Sequence, residues 1–197
     1  MNPTKIKMRR WLGALVLGLA LGLGVACAPP LKGIDLGKER APDFRLSDAR
    51  GNSIALADLR GKVVVLTFLY TNCVNECPLI ASKFRNTANQ LGDAMKQVAF
   101  IAVSTDPEGD TPLAVEKFLQ EQLIQGQLAY LIGARAQLEP VWQAYYVATA
   151  TNSSSVKSLL QSTRVIVIDK QGNQRVDLRG DFIPADLVFD IRALLSE

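Results

Sequence analysis

Residues 62–78 read "KVVVLTFLYTNCVNECP". Val63 to Leu69 is an unbroken β-branched and apolar run, which predicts a central strand covered on both faces. The run leads into two cysteines, Cys73 and Cys77, with three residues between them. Beyond them Ile80, Phe84, Ala88 and Leu91 recur at helical spacing, and Pro78 falls where a first helical turn accepts it. The thiol pair therefore lies beyond the carboxyl end of a central strand, where open α/β sheets present their sites.

Working outward, Pro42 to Ala57 predicts a short strand around Phe44, a turn at Arg50-Gly51-Asn52 and a second short strand, together a small N-terminal β unit. After the first helix, Val98 to Val103 is a strand, and Val115, Phe118, Leu119 and Leu123 mark a helix introduced by "DTP". "LAYLIG", from Leu128, is a short strand, and Leu138, Val141, Trp142 and Tyr145 mark another helix. "TATNSSS" (149–155) is loop. "RVIVIDKQGNQRVDL", from Arg164, predicts two strands about a turn at Gly172-Asn173, and Leu187, Val188, Ile191, Leu194 and Leu195 close the chain with a helix behind Pro184. This alternation predicts an α/β fold with a mixed central sheet flanked by helices. With 197 residues and 48% hydrophobic content, one core is expected.

The first 26 residues differ in kind. Lys5, Lys7, Arg9 and Arg10 precede the uncharged "WLGALVLGLALGLGVA", which ends in small residues just before Cys27. That is the pattern of an export signal, and its Gly-rich apolar run falls short of the roughly 20 residues of a spanning helix. Cys27 after "GVA" resembles the lipobox of bacterial lipoproteins, with Gly24 where that box usually has Leu; lipidation of Cys27 is expected ahead of a free thiol or an uncleaved anchor. Residues 27–40, with two adjacent prolines and no period, are expected to be a tether, and the domain to lie outside the cytoplasm at the bacterial membrane. All the excess positive charge belongs to the signal, whose removal turns 22 basic against 19 acidic residues into 18 against 19. A near-neutral domain gives no support for nucleic-acid binding.

Three readings of the thiol pair stand side by side. One helical turn brings residues four apart to about 6 Å, within the Cα separation a disulfide tolerates, so the pair can bond, cycle, or converge on one metal ion. A disulfide closing so small a loop adds little chain-entropy stabilisation, which favours function over a structural staple. Cys77 directly precedes Pro78 and the helix, so the helix N-terminus is expected to favour its thiolate.

"FLYTNCVNECP" resembles the signature of the Sco/SenC family, in which an apolar strand runs into Tyr-Thr and Cys-x-x-x-Cys-Pro. "STDPEGDTP" (104–112) is similar to that family's strand-to-helix loop, and "APDFRL", "LADLRGKVVVLTF" and "VIVIDKQG" match it too. The resemblance implies a thioredoxin-like domain over 41–197, tethered to a membrane. It further implies a part in assembling the binuclear copper site of cytochrome c oxidase, with the copper-bearing subunit or another extracytoplasmic thiol protein as partner. Cys73 and Cys77 take the places of the family's copper-binding and redox thiols. The family's histidine has no counterpart, because its position is Gln161 and the chain contains no histidine. Val74 and Asn75 also stand where the family often has Pro and Asp.

Soft thiolates select Cu(I), so Cu(I) binding by the pair survives this loss, whereas stable Cu(II) binding, which suits imidazole, does not. Exchange of thiols with a partner disulfide needs no metal, the more exposed thiol attacking and the other resolving the mixed disulfide. That places thiol–disulfide exchange ahead of copper carriage. Met95, the only methionine of the mature chain, is expected to pack rather than ligate. Arg164 is a candidate source of positive charge at the site, and Asp106, Glu108 and Asp110 are candidates for contacts at its rim. A general extracytoplasmic thiol–disulfide oxidoreductase and a non-catalytic binding module with a structural disulfide are the alternatives. A peroxiredoxin is disfavoured, because Val74 stands where that family has Thr.

Overall fold

The computed structural model describes residues 30–147 and 164–197. The expected signal over 1–26, Cys27, the polar run at 149–155 and Gln161 lie outside them. Eight strands run β1 (Ile34–Arg40), β2 (Arg45–Asp48), β3 (Ser53–Ala55), β4 (Val63–Leu69), β5 (Val98–Ser104), β6 (Leu128–Ile132), β7 (Arg164–Ile168) and β8 (Asn173–Arg179). The helices that carry the layers are α1 (Glu76–Leu91), α2 (Pro112–Glu121), α3 (Arg135–Ala144) and α4 (Pro184–Ser196).

All eight strands join one sheet in the order β1-β8-β7-β4-β5-β6-β2-β3. β4, β5 and β6 are parallel, and the remaining pairs are antiparallel, so the sheet is mixed as expected. β4 sits inside it with every residue buried. Alternation along β4 feeds a hydrophobic cluster on each face of the one sheet: Val63, Val65 and Leu69 face α1, α2 and α4, while Val64, Leu66 and Phe68 face α3. Phe84 of α1 stacks on Phe100 of β5 with ring centroids 4.9 Å apart, fixing that helix over the central strands.

The expected N-terminal β unit is the β2–β3 hairpin, which joins the main sheet at the β6 edge through Ser47 and Asp48. One segment differs from expectation. Ile34 to Arg40, within the segment expected to be tether, is an edge strand paired with β8. Its side chains are almost all exposed, its register shifts between Asp35 and Glu39, and Gly37 takes a φ of 73° inside that irregularity. An irregular strand with no buried face carries no alternating signal, and its charges suit an edge that must not pair with another chain. Among the described residues no helix is long and apolar enough to cross a membrane.

Candidate functional site

The chain leaves β4 at Leu69, turns through Tyr70 to Asn72, and delivers Cys73 to the start of α1. The Cys73 N–H donates to the Tyr70 carbonyl at 3.2 Å, closing that turn. α1 begins at Glu76, so Cys77 lies in its first turn and Pro78 at its third residue, where a missing N–H breaks no helical bond. Asn75 at the N-cap makes no side-chain cap bond. The Cys73 sulfur fills that place, accepting the Cys77 N–H at 3.1 Å.

This arrangement reverses the expectation for the two thiols. Hydrogen bonding from the Cys77 thiol leads the effect on Cys73; burial opposes it, and the N–H groups of Cys77, Asn75 and Glu76 add to it, bringing Cys73 down to about 6 from the ordinary 9.0. Cys77 moves upward, because its proton is committed to Cys73 and burial disfavours its anion. The helix N-terminus acts on Cys73, since the sulfur that sees those N–H groups lies before the first turn, not within it. Both side chains are buried, Cys73 at 8% exposure and Cys77 at 4%, and no disulfide joins them. Tyr70 flanks the pair half-buried; burial and the neighbouring Cys73 push its phenol upward, which keeps it a donor.

A second layer lies beneath. Asp110, in the loop between β5 and α2, is 3% exposed and not at the rim. Its Oδ1 accepts the Thr71 N–H and the Thr71 hydroxyl, each at 2.7 Å. Its Oδ2 accepts the Ser104 hydroxyl at 2.6 Å and the Tyr130 hydroxyl at 2.9 Å. Only a weak sequence signal marks this hub, since "DPEGDTP" reads as a charged loop opening a helix and nothing in it says which acid turns inward. Glu108 does remain outside, paired with Arg135 at 2.8 Å.

Asp106 stays close enough to Tyr70 to add to the upward shift of its phenol, whereas Arg164 and Met95 are engaged elsewhere. Arg164 gives its guanidinium to Asp177 at 2.7 Å and to the Tyr145 carbonyl at 2.8 Å, so its charge is spent on the sheet. Met95 packs partly buried against the core, as expected. Among the described residues no three Cys, Asp or Glu side chains gather as a metal cluster. Among the described residues the two sulfurs are thus the soft donors at this end of the sheet, a set that suits Cu(I) better than a hard ion.

A family model for SCO1/SenC matches residues 34–196. The mitochondrial SCO2 homolog of Bos taurus is 33% identical over 107 residues, 53% of this chain and 40% of that relative. The structure of BsSco, a member of the Sco family of cytochrome c oxidase assembly proteins with a disulfide switch, aligns with a TM-score of 0.70 at 19% identity, covering 83% of this chain and 97% of that one. ScoI of Bradyrhizobium japonicum with copper bound aligns with a TM-score of 0.61 at 24% identity, over 79% of this chain and 99% of that one. At these identities the two structures speak for the fold, which is thioredoxin-like. With the family model spanning both the sheet and the Cys-x-x-x-Cys turn, the chain belongs to the SCO1/SenC family.

Proposed function

We propose that this protein serves assembly of the copper site of cytochrome c oxidase as an extracytoplasmic, membrane-tethered dithiol. Its own chemistry is thiol–disulfide exchange through Cys73 and Cys77, with Cu(I) as a cargo the same pair can hold. The observation that carries this reading is the asymmetry of the pair: the Cys73 sulfur lies before α1 and accepts the Cys77 N–H at 3.1 Å, which favours its thiolate, while Cys77 is buried in the first turn, which disfavours its own.

The Cys73 thiolate attacks one sulfur of a partner disulfide, and the other partner sulfur leaves as a thiolate. A mixed disulfide now joins Cys73 to the partner. Cys77 then loses its proton to solvent and attacks the Cys73 sulfur, releasing the second partner thiolate. Two electrons have passed to the partner, and the Cys73–Cys77 disulfide that remains must be reduced by another extracytoplasmic dithiol. No imidazole base is needed, which suits a chain without histidine. The absent imidazole also bears on cargo, because two thiolates suit Cu(I) while Cu(II) favours nitrogen.

The test is an anaerobic Cu(I) competition titration of the reduced chain, run beside its reduction of a disulfide-bonded copper-site domain. A Cys73→Ser, Cys77→Ser double variant is the control. One-to-one Cu(I) binding lost in the control supports the cargo role, and partner reduction lost in the control supports exchange. A double variant that matches the parent in both assays leaves only a non-catalytic binding module.

A further inference from the structure

We infer that Asp110 is a positioning residue for the thiol pair, holding the turn that carries Cys73 and placing a fixed negative charge beneath the two sulfurs. This inference rests on Cys73 and Cys77 being a working redox pair. Four hydrogen bonds converge on the carboxylate, and two of them come from Thr71, through its N–H and its hydroxyl. Thr71 lies in the turn between the end of β4 and Cys73, so pinning it sets where the Cys73 sulfur meets the N–H groups of α1. The other two bonds, from Ser104 at the end of β5 and Tyr130 in β6, tie the carboxylate to both neighbouring strands. The turn is thereby referenced to three parallel strands at once.

The choice of residue is the second observation. All four donors are neutral, and no Lys or Arg among the described residues forms an ion pair with Asp110. A carboxylate buried without a cation is costly, and a neutral amide of the same shape would satisfy the Thr71 donors through its oxygen while avoiding that cost. Stability alone therefore does not explain an acid here. The carboxylate is bonded to Thr71, two residues before Cys73, and to the buried Tyr130 hydroxyl at 2.9 Å, so its charge lies close to the turn that carries the pair. A negative charge below two sulfurs disfavours the anionic, reduced form and leaves the neutral disulfide untouched.

The experiment is redox equilibration of the full chain in glutathione buffers at pH 7, comparing the parent with D110N and Y130F. D110N keeps the shape and removes the charge; Y130F removes one donor and keeps the charge. D110N is expected to shift the dithiol-to-disulfide ratio fivefold or more toward the dithiol, and Y130F to stay within twofold of the parent. A folded D110N within twofold of the parent overturns the inference. T71V supplies an independent arm should D110N fail to fold. Its reduction of a small aromatic disulfide is expected to slow fivefold or more, and an unchanged rate overturns the positioning role. A parent chain that exchanges with neither reagent overturns the redox reading itself, an outcome distinct from an active parent that D110N and T71V leave unmoved.

Discussion

The two ends of the central sheet each bury an aspartate, and they satisfy it in opposite ways. At the carboxyl end of β4, Asp110 is held by neutral hydroxyls and one N–H. At the other end, in the β7–β8 hairpin, Asp169 accepts from Asn173 and lies 3.5 Å from Arg175, which also grips Glu197 at the chain's last position. Both aspartates are 3% exposed. The paired arrangement is the one that serves stability once a charge is buried, because a cation returns much of the lost hydration. The unpaired one sits beneath the thiols, where a net field acts on chemistry. On the proposed dithiol reading, one end of the sheet is built to hold and the other to react.

The sharpest break in that comparison comes at the thiols. Cys73→Ser is expected to abolish reduction of small disulfides, because it removes the thiol that the helix N-terminus activates. Cys77→Ser is expected to leave the first attack intact and to accumulate a mixed disulfide at Cys73, visible as an added mass on the intact chain. Equal loss in both variants without trapped adduct would assign the attack wrongly. The next largest effect belongs to the far end. Arg175→Met removes the cation from Asp169 and Glu197 and is expected to cost about 3–5 kcal/mol in urea unfolding, with the glutathione equilibrium of the pair unchanged. A shift of that equilibrium would show that the two ends are not independent.

Acid separates the ends more gently. Burial works against the Asp169 anion, but hydrogen bonds from Asn173 and the charge of Arg175 prevail and hold it below 3.8. The hydrogen bond from Arg175 likewise holds Glu197 below its ordinary 4.5. Carboxyls depressed in the native state add stability above their unfolded values and lose it as pH falls through the native ones. Asp190, buried against the Lys32 and Gly33 N–H groups, is raised mainly by burial and acts in the opposite sense, its contribution being present below 3.8 and lost as pH rises through its native value. Urea midpoints from pH 6 down to pH 3 should therefore fall for the parent and fall less for Arg175→Met. Parallel profiles would remove the Arg175 cluster as the acid-sensitive element.

Much of the holding machinery was legible in the sequence, and much of the reacting machinery was not. The β4 run and the helical spacing of Ile80, Phe84, Ala88 and Leu91 are local patterns that burial imposes directly on composition, and the hairpin turn expected at Gly172-Asn173 falls slightly earlier, from Asp169 to Gly172. β1 escaped because an exposed, irregular edge has no face to bury, and its pairing with β8 spans more than a hundred residues. At the site, the two cysteines announced themselves, but which one is activated depends on where α1 starts. Two residues decide it: a helix from Glu76 puts Cys77 inside the first turn and leaves Cys73 as the cap. Asp110 looked like its neighbours Asp106 and Glu108, and only the convergence of three strands distinguishes it. Arg164 looked available at a strand mouth until its partner Asp177 came alongside from β8.

The smallest effect bears on whether the site loop acts through Asp110 in particular or through its rigidity in general. Thr111 follows Asp110 and caps α2, its hydroxyl accepting the Ala114 N–H at 3.2 Å. Removing that bond in Thr111→Ala should cost about 1 kcal/mol, the usual worth of an N-cap. Thr111 donates nothing to Asp110, so the carboxylate, its bonds to Thr71 and its charge survive the change. The glutathione equilibrium of Cys73 and Cys77 should then match the parent within twofold while the urea midpoint falls. If the equilibrium moves with the midpoint, loosening the loop is enough to disturb the thiols, and the contrast between the two ends lies in stiffness. If it stays, the thiols respond to one carboxylate and not to the softness of the segment that bears it.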